Sequence, residues 1–305
     1  MLTEVPGRKL SLEKMKFLAK RLMASGRGPD GVVASVCRGW KESGVPLVLN
    51  PEASEIIETD VVWVNRSIEA LRWAINKKKE GHIRQLMAGP NLVVGPLDYS
   101  RILLAPEIDK ILQPSNWVRD FYLSLSPKLI GKIKVWPAGV EIPVNVTAKK
   151  QDLILVYFKK SSDKKLLGLI LGELEDRGVS YQILHYGNYK KMEYFDLLEK
   201  SKAMIYISNS ESQGLALAEA WARNVPTLVW DRGFFEYGQY SWRANNISSP
   251  YLTEDNGITF GGGDDFGKRF DSFMSNRDSF RSKEYVEANL SDKVCAEKLL
   301  AIIND

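Results

Sequence analysis

Cysteine and histidine are scarce in this 305-residue chain: there are two of each, Cys37 and Cys295, His82 and His185. Two thiols cannot staple a chain of this size or build a Cys-rich zinc site. Two histidines argue against a His-rich metal enzyme and weaken any His-centred triad, so neither metal nor cofactor is expected. Nowhere do about 18 apolar residues run together, so no membrane-spanning helix is predicted. The opening MLTEVPGRKLSLEKMK lacks an apolar stretch of signal-peptide type. The expected location is cytoplasmic, with peripheral contact to the inner face of an anionic membrane as an option.

What is present is ordinary globular material: 44% hydrophobic and 26% charged residues. That suffices for two domains of common size. The net charge of +4 is unevenly placed. Residues 1–150 hold 23 Lys+Arg against 15 Asp+Glu, and the remainder hold 19 against 23. A basic first half points to an anionic partner, phospholipid or a phosphorylated acceptor, or to a plain solvated surface. The run Lys77–Lys78–Lys79 reads as a solvated helix face ahead of a lipid patch. No nucleic-acid motif accompanies the charge, so nucleic acid is not expected as a partner.

Short β-branched apolar runs alternate with helical periodicity. Strands are predicted at 15–20, 45–50, 60–65, 91–96, 108–115 and 132–143, with a Gly-rich loop at 25–31 and helices at 32–43, 67–82 and 116–126. After Val144 the pattern restarts. Strands are predicted at 152–159, 181–187, 203–208 and 226–231, and helices at 164–178, 192–202 and 215–224. A helical tail runs from Lys283 to Ile303. Such alternation argues α/β architecture with parallel sheets covered on both faces. The expected domains are 1–147 and 148–282, two Rossmann-like units facing a cleft, with 283–305 packing back on the first.

The most informative stretch is ISNSESQGLALAEAWARNVPTLVWD (207–231). A strand ends in a small polar loop, and Gly214 stands where that loop becomes a helix. Free amides and the positive dipole end of a helix favour phosphate there. Glu211 in the loop and Glu219 in the helix are acceptors suited to paired sugar hydroxyls.

These residues resemble the retaining GT-B glycosyltransferases, notably family 4. The resemblance rests on Glu-x7-Glu with a Gly-Leu pair inside and a downstream Pro strand. It continues in order through SGRGPDGVVASV, LQPSNWVRDF, VWPAGVE, NGITF and NLSDKVCAEKLLAII, across most of the chain. The resemblance implies transfer of a sugar from a nucleotide-diphosphate donor of UDP, GDP or ADP type to a glycan, polysaccharide or lipid-linked acceptor. It also implies retention of anomeric configuration and no need of a metal. Glu211 would hold hydroxyls of the donor sugar and Glu219 those of the ribose. The amides of Gln213, Gly214 and Leu215 would receive the distal phosphate and sugar.

The family places an Arg and a Lys after the first strand of its second domain, to neutralise the departing diphosphate. Here Lys159 takes the Arg position, with Lys164 or Lys165 for the Lys. Gly28 and Gly31 would close over the phosphates, and Tyr186, Gly187 and Asn188 are candidates to touch the base. Where many members carry a cleft histidine, this chain has Leu97, Asp98 and Tyr99. Asp98 is a candidate acceptor-binding or base residue, and Asn65 another. His82, at a helix end, reads as dipole-compensating. The alternatives are an inverting GT-B transferase, a sugar-nucleotide epimerase, and a catalytically silent nucleotide-sugar-binding module.

Overall fold

A computed structural model describes residues 2–4, 28–41, 43–90, 92–144, 150–159 and 163–305. The strand expected at 15–20 and the start of the Gly-rich loop, 25–27, lie outside the described residues. The chain divides into two compact units, Met1–Gly139 with Asp292–Asp305, and Val140–Ser291.

The first unit is built on six strands: β1 (Leu2–Glu4), β2 (Val48–Leu49), β3 (Val61–Val64), β4 (Gln85–Ala88), β5 (Lys110–Gln113) and β6 (Ile133–Val135). Their order is β2-β1-β3-β4-β5-β6. From β3 to β6 all neighbours run parallel. β1 departs from expectation by running antiparallel to both β2 and β3. Mixed sheets of this kind commonly carry antiparallel pairing at one side, where no crossover helix has to cover the sheet.

β3, Val-Val-Trp-Val, is buried along its length, which is why it reads as a continuous apolar run. The helix Ile68–Lys79 starts at Ser67, whose hydroxyl accepts from the Ala70 amide at 3.1 Å. Ile68, Leu71, Ala74 and Ile75 form its buried face. Lys77, Lys78 and Lys79 are each paired, with Glu80 at 2.5 Å, Asp109 at 3.0 Å and Glu107 at 3.7 Å.

Three readings of this unit need correction. The strand expected at 91–96 lies earlier, at β4; Leu92 is buried, but Val94 is exposed and the segment bends. The strand expected at 45–50 shrinks to the two residues of β2. The first long helix runs Gly28–Trp40, so Gly28 and Gly31 stand in its first turn and not in a loop.

That helix packs on the last one, Asp292–Asn304. Arg38 Nη2 donates to Asp292 Oδ1 at 3.1 Å, and buried Trp136 donates its indole N–H to the Cys295 carbonyl at 2.8 Å. Gly39 permits the close approach: a Cβ there would lie 2.1 Å from the Asp292 carbonyl oxygen and 2.8 Å from Ala296 Cβ. Backbone cannot yield as a side chain does. Gly39→Ala is therefore expected to cost about 1–3 kcal/mol, lowering Tm by roughly 2–4 °C per kcal/mol. An unchanged melting curve would contradict this packing.

The second unit holds β7 (Ile154–Phe158), β8 (Tyr181–His185), β9 (Ala203–Ile207), β10 (Thr227–Trp230) and β13 (Gly257–Phe260), all parallel, in the order β13-β10-β9-β7-β8. Alternate residues of β7 and β9 serve two faces. Ile154, Val156 and Phe158 join Ala203, Ile205 and Ile207 in a core with Leu166, Ile170 and Leu174 of the helix Lys164–Asp176. Phe266, Phe270 and Phe273 of the helix Gly263–Ser275 complete it. A hairpin, β11 (Phe234–Tyr237) with β12 (Tyr240–Arg243), interrupts the strand–helix alternation. The expected helical tail is two helices, Ser282–Asn289 and Asp292–Asn304, and only the second belongs to the first unit.

Candidate functional site

Strand order places the site. β8 lies on one side of β7 and β9 on the other, so the chain reverses direction between β7 and β9. In open α/β sheets ligands bind just beyond the carboxyl ends of strands at such a reversal. The residues found there are Lys159, directly after β7, and the loop 208–214 after β9.

Lys159 and Glu211 meet: Lys159 Nζ lies 2.5 Å from Glu211 Oε1. The same oxygen accepts from Tyr206 Oη at 2.7 Å and from Ser208 Oγ at 2.8 Å. The Glu211 amide donates to the Ile247 carbonyl at 2.9 Å, and Ser248 Oγ donates to the Ser208 carbonyl at 3.0 Å. The carboxylate is thus held from its side chain and its backbone.

Register explains the tyrosines. Tyr157 of β7 pairs with Tyr206 of β9, so both point to the face opposite the aliphatic core. Their rings stack at 5.0 Å and 14°. Tyr157 Oη lies 2.7 Å from Tyr189 Oη, in the loop after β8. Burial, then the charge of Glu211, drives the Tyr206 hydroxyl far above its ordinary range. Burial pushes Tyr189 up to about 12, and the negative charges of Glu219 and Glu211 both act on it in the same direction. Tyr189 therefore stands in the field of both glutamates.

Gly214 caps the helix Leu215–Trp221 from the left-handed region, φ 83° and ψ 51°. A Cβ there would be strained and would press Leu217 Cδ1 at 3.0 Å. The amides of Leu215 and its successors are thereby presented at the helix start. Glu219, within that helix, pairs with Lys191 at the start of the helix Lys191–Lys200. Arg223 Nη1 donates to the Glu219 carbonyl at 3.3 Å, and its guanidinium lies 3.6 Å from the Phe195 ring centroid.

The other expected residues divide. Tyr186 is half-exposed, its ring 4.8 Å from Lys159 Nζ, and the Asn188 amide donates to the His185 carbonyl to close the turn after β8. Lys164 and Lys165 are exposed in the first turn of a helix capped by Asp163, whose Oδ1 accepts from the Lys165 and Leu166 amides. Among the described residues neither lysine pairs with Glu211 or Glu219. Cations at a helix N-terminus work against its dipole, so helix stability does not account for them.

Gly28, Gly31 and Asp98 belong to the first unit. Asp98 Oδ2 accepts from the Gly95 amide at 2.8 Å and leads into Tyr99, Ser100 and Arg101, all with left-handed φ. Asn65 is buried at the end of β3, and His82 is exposed with Nε2 3.7 Å from Glu80.

Sequence reasoning missed Tyr157, Tyr189, Lys191, Tyr206 and Ser208. One signal was available: LILVYF and AMIYI carry tyrosine at matching depth in adjacent buried strands. For Lys191 there was none, because its partner lies 28 residues away on another helix.

No protein-family model matches the chain, and no curated protein matches it by sequence. Solved structures do match by shape. The crystal structure of TarM superposes with a TM-score of 0.56 at 13% identity, covering 90% of this chain and 58% of TarM. The pneumococcal O-GlcNAc transferase GtfA, in complex with UDP and GlcNAc, gives 0.57 at 13%, covering 83% and 58%. Sucrose-phosphate synthase from Thermosynechococcus elongatus gives 0.52 at 14%, covering 99% and 81%. The fold is that of the GT-B glycosyltransferases. This GT-B chain spans a little over half the length of TarM and GtfA. At such identities the likeness speaks for fold alone.

Proposed function

We propose that this chain transfers a sugar from a nucleoside-diphosphate sugar to a hydroxyl of a glycan or lipid-linked acceptor, with retention of configuration and without a metal ion. The observation that carries the reading is the Lys159–Glu211 pair, at 2.5 Å, at the strand-order reversal beside the Gly214-capped helix. In this reading Glu211 accepts hydroxyls of the donor sugar and Glu219 those of the ribose. The Gln213, Gly214 and Leu215 amides receive the distal phosphate.

The bond from the sugar's anomeric carbon to the diphosphate oxygen breaks, and the bond to the acceptor oxygen forms on the same face. The acceptor proton passes to the leaving diphosphate. Lys159, with Lys164 or Lys165, offsets the charge that grows on that group, the task a divalent cation performs elsewhere. Positioning and charge stabilisation thus supply the catalysis, with no protein nucleophile. Tyr186 and Asn188, after β8, serve the base.

That the GtfA neighbour was crystallised with UDP and GlcNAc puts UDP first among donors to test. Calorimetric titration with UDP, GDP and ADP in EDTA is expected to show one nucleotide binding. Binding only with added magnesium would overturn metal independence. If none bound under either condition, the donor site would be misassigned.

A further inference from the structure

We propose that Lys191 is a phosphate-binding residue of the nucleotide site, its ammonium shared between Glu219 and the diphosphate of the ligand. This rests on the donor-site reading above and adds to it a cation that neither the Glu-x7-Glu spacing nor the lysines after β7 supply. Lys191 is the first residue of the helix Lys191–Lys200, where a positive charge opposes the helix dipole. Its place is therefore not explained by the stability of its own helix.

Nor is it a solvated surface lysine. Its ammonium pairs with Glu219 and lies 5.0 Å from the Phe195 ring centroid, with the side chain 29% exposed against 14% for Glu219. The pair is largely but not wholly buried, so an incoming ligand can still reach it. An ammonium carries three donors, and Glu219 Oε1 uses one. A ligand whose ribose bonds Glu219 brings its phosphates within reach of the other two.

The charge balance of the site points the same way. Glu211 and Glu219 place two carboxylates where a strongly anionic diphosphate must bind, and the field of both reaches Tyr189. Lys159 pairs with Glu211 and Lys191 with Glu219, whereas Arg223 bonds the Glu219 main-chain carbonyl. Lys191 offsets the Glu219 charge that would otherwise repel a diphosphate.

The test is calorimetry in EDTA with UDP and with uridine, on wild type, Lys191→Met and Lys191→Arg, at low and high salt. Lys191→Met is expected to weaken UDP by about tenfold, to flatten its salt dependence, and to change uridine less than about twofold. Lys191→Arg should restore UDP binding to within about threefold. Equal losses for UDP and uridine would overturn the proposal, because Lys191 would then act only by orienting Glu219. Unchanged or tighter UDP binding would overturn it too, the lysine then merely occupying the carboxylate. A melting curve tracks folding, and a lower Tm without the UDP-specific loss counts against the proposal. If UDP, GDP and ADP all fail to bind wild type, the donor-site reading falls and this inference with it. Wild-type binding unaltered by Lys191→Met removes this inference alone.

Discussion

Glu211→Gln is expected to lower sugar transfer by about two to three orders of magnitude, or roughly 3–4 kcal/mol of transition-state stabilisation. The carboxylate is the meeting point of three donors, Lys159, Tyr206 and Ser208, all on Oε1. An amide in its place loses the charge that holds the Lys159 ammonium. It also risks turning an N–H toward Tyr206 and Ser208, which then lack an acceptor. Both the acceptor for the sugar and the position of the cation that meets the leaving group are altered together.

The two effects are coupled, so Lys159→Met in the Glu211→Gln background should cost far less than in wild type. Glu211 and Lys159 are mostly buried, and a fold cost of about 1–3 kcal/mol accompanies the change. The measurement is release of the nucleotide from its sugar donor, with a melting curve alongside. Near-full turnover in the Gln variant would remove Glu211 from the mechanism.

Glu219→Ala is expected to act on binding, weakening the nucleotide about 30-fold or more. Two opposed effects set the sign. Hydrogen bonds from ribose hydroxyls to an ionised carboxylate are worth about 1.5–3 kcal/mol each, and the substitution removes them. Freed from Glu219, Lys191 and Arg223 attract phosphate more strongly, but a partly exposed charge contributes only about 0–1 kcal/mol. The loss wins by about 2 kcal/mol, and each 1.4 kcal/mol is tenfold. Calorimetry with the nucleotide that binds wild type is the check. Undiminished affinity would place the ribose elsewhere.

Much of the fold was legible because its strands are wholly buried. A strand covered on both faces is mostly apolar, so β3, β7, β9 and β10 announce themselves as short runs. Ser67 and Asp163 mark helix starts by a local bond from their own side chains. Elements that break this rule were misread. NLVVGP has strand composition, but Val94 faces solvent and the Asp98 side chain bonds the Gly95 amide to make a turn. The hairpin at 234–243 is mostly exposed or half-buried, so it lacks the apolar run that marks the parallel strands.

By itself the sequence determined the α/β class, the order of the elements from β7 to β10, and the candidates Glu211, Gly214 and Glu219, while Lys159 came from the family resemblance. The class, the order and the three residues of the 207–231 stretch depend on periodicity or on spacing within some ten residues, which neighbouring side chains and helix geometry enforce. Only the tertiary structure decided that Lys159 meets Glu211, that Tyr157 and Tyr206 stack behind it, and that Lys191 occupies Glu219. Those pairings join loops and helices after different strands. They follow from strand order and register, which are settled by how whole layers pack rather than by any local stretch of chain.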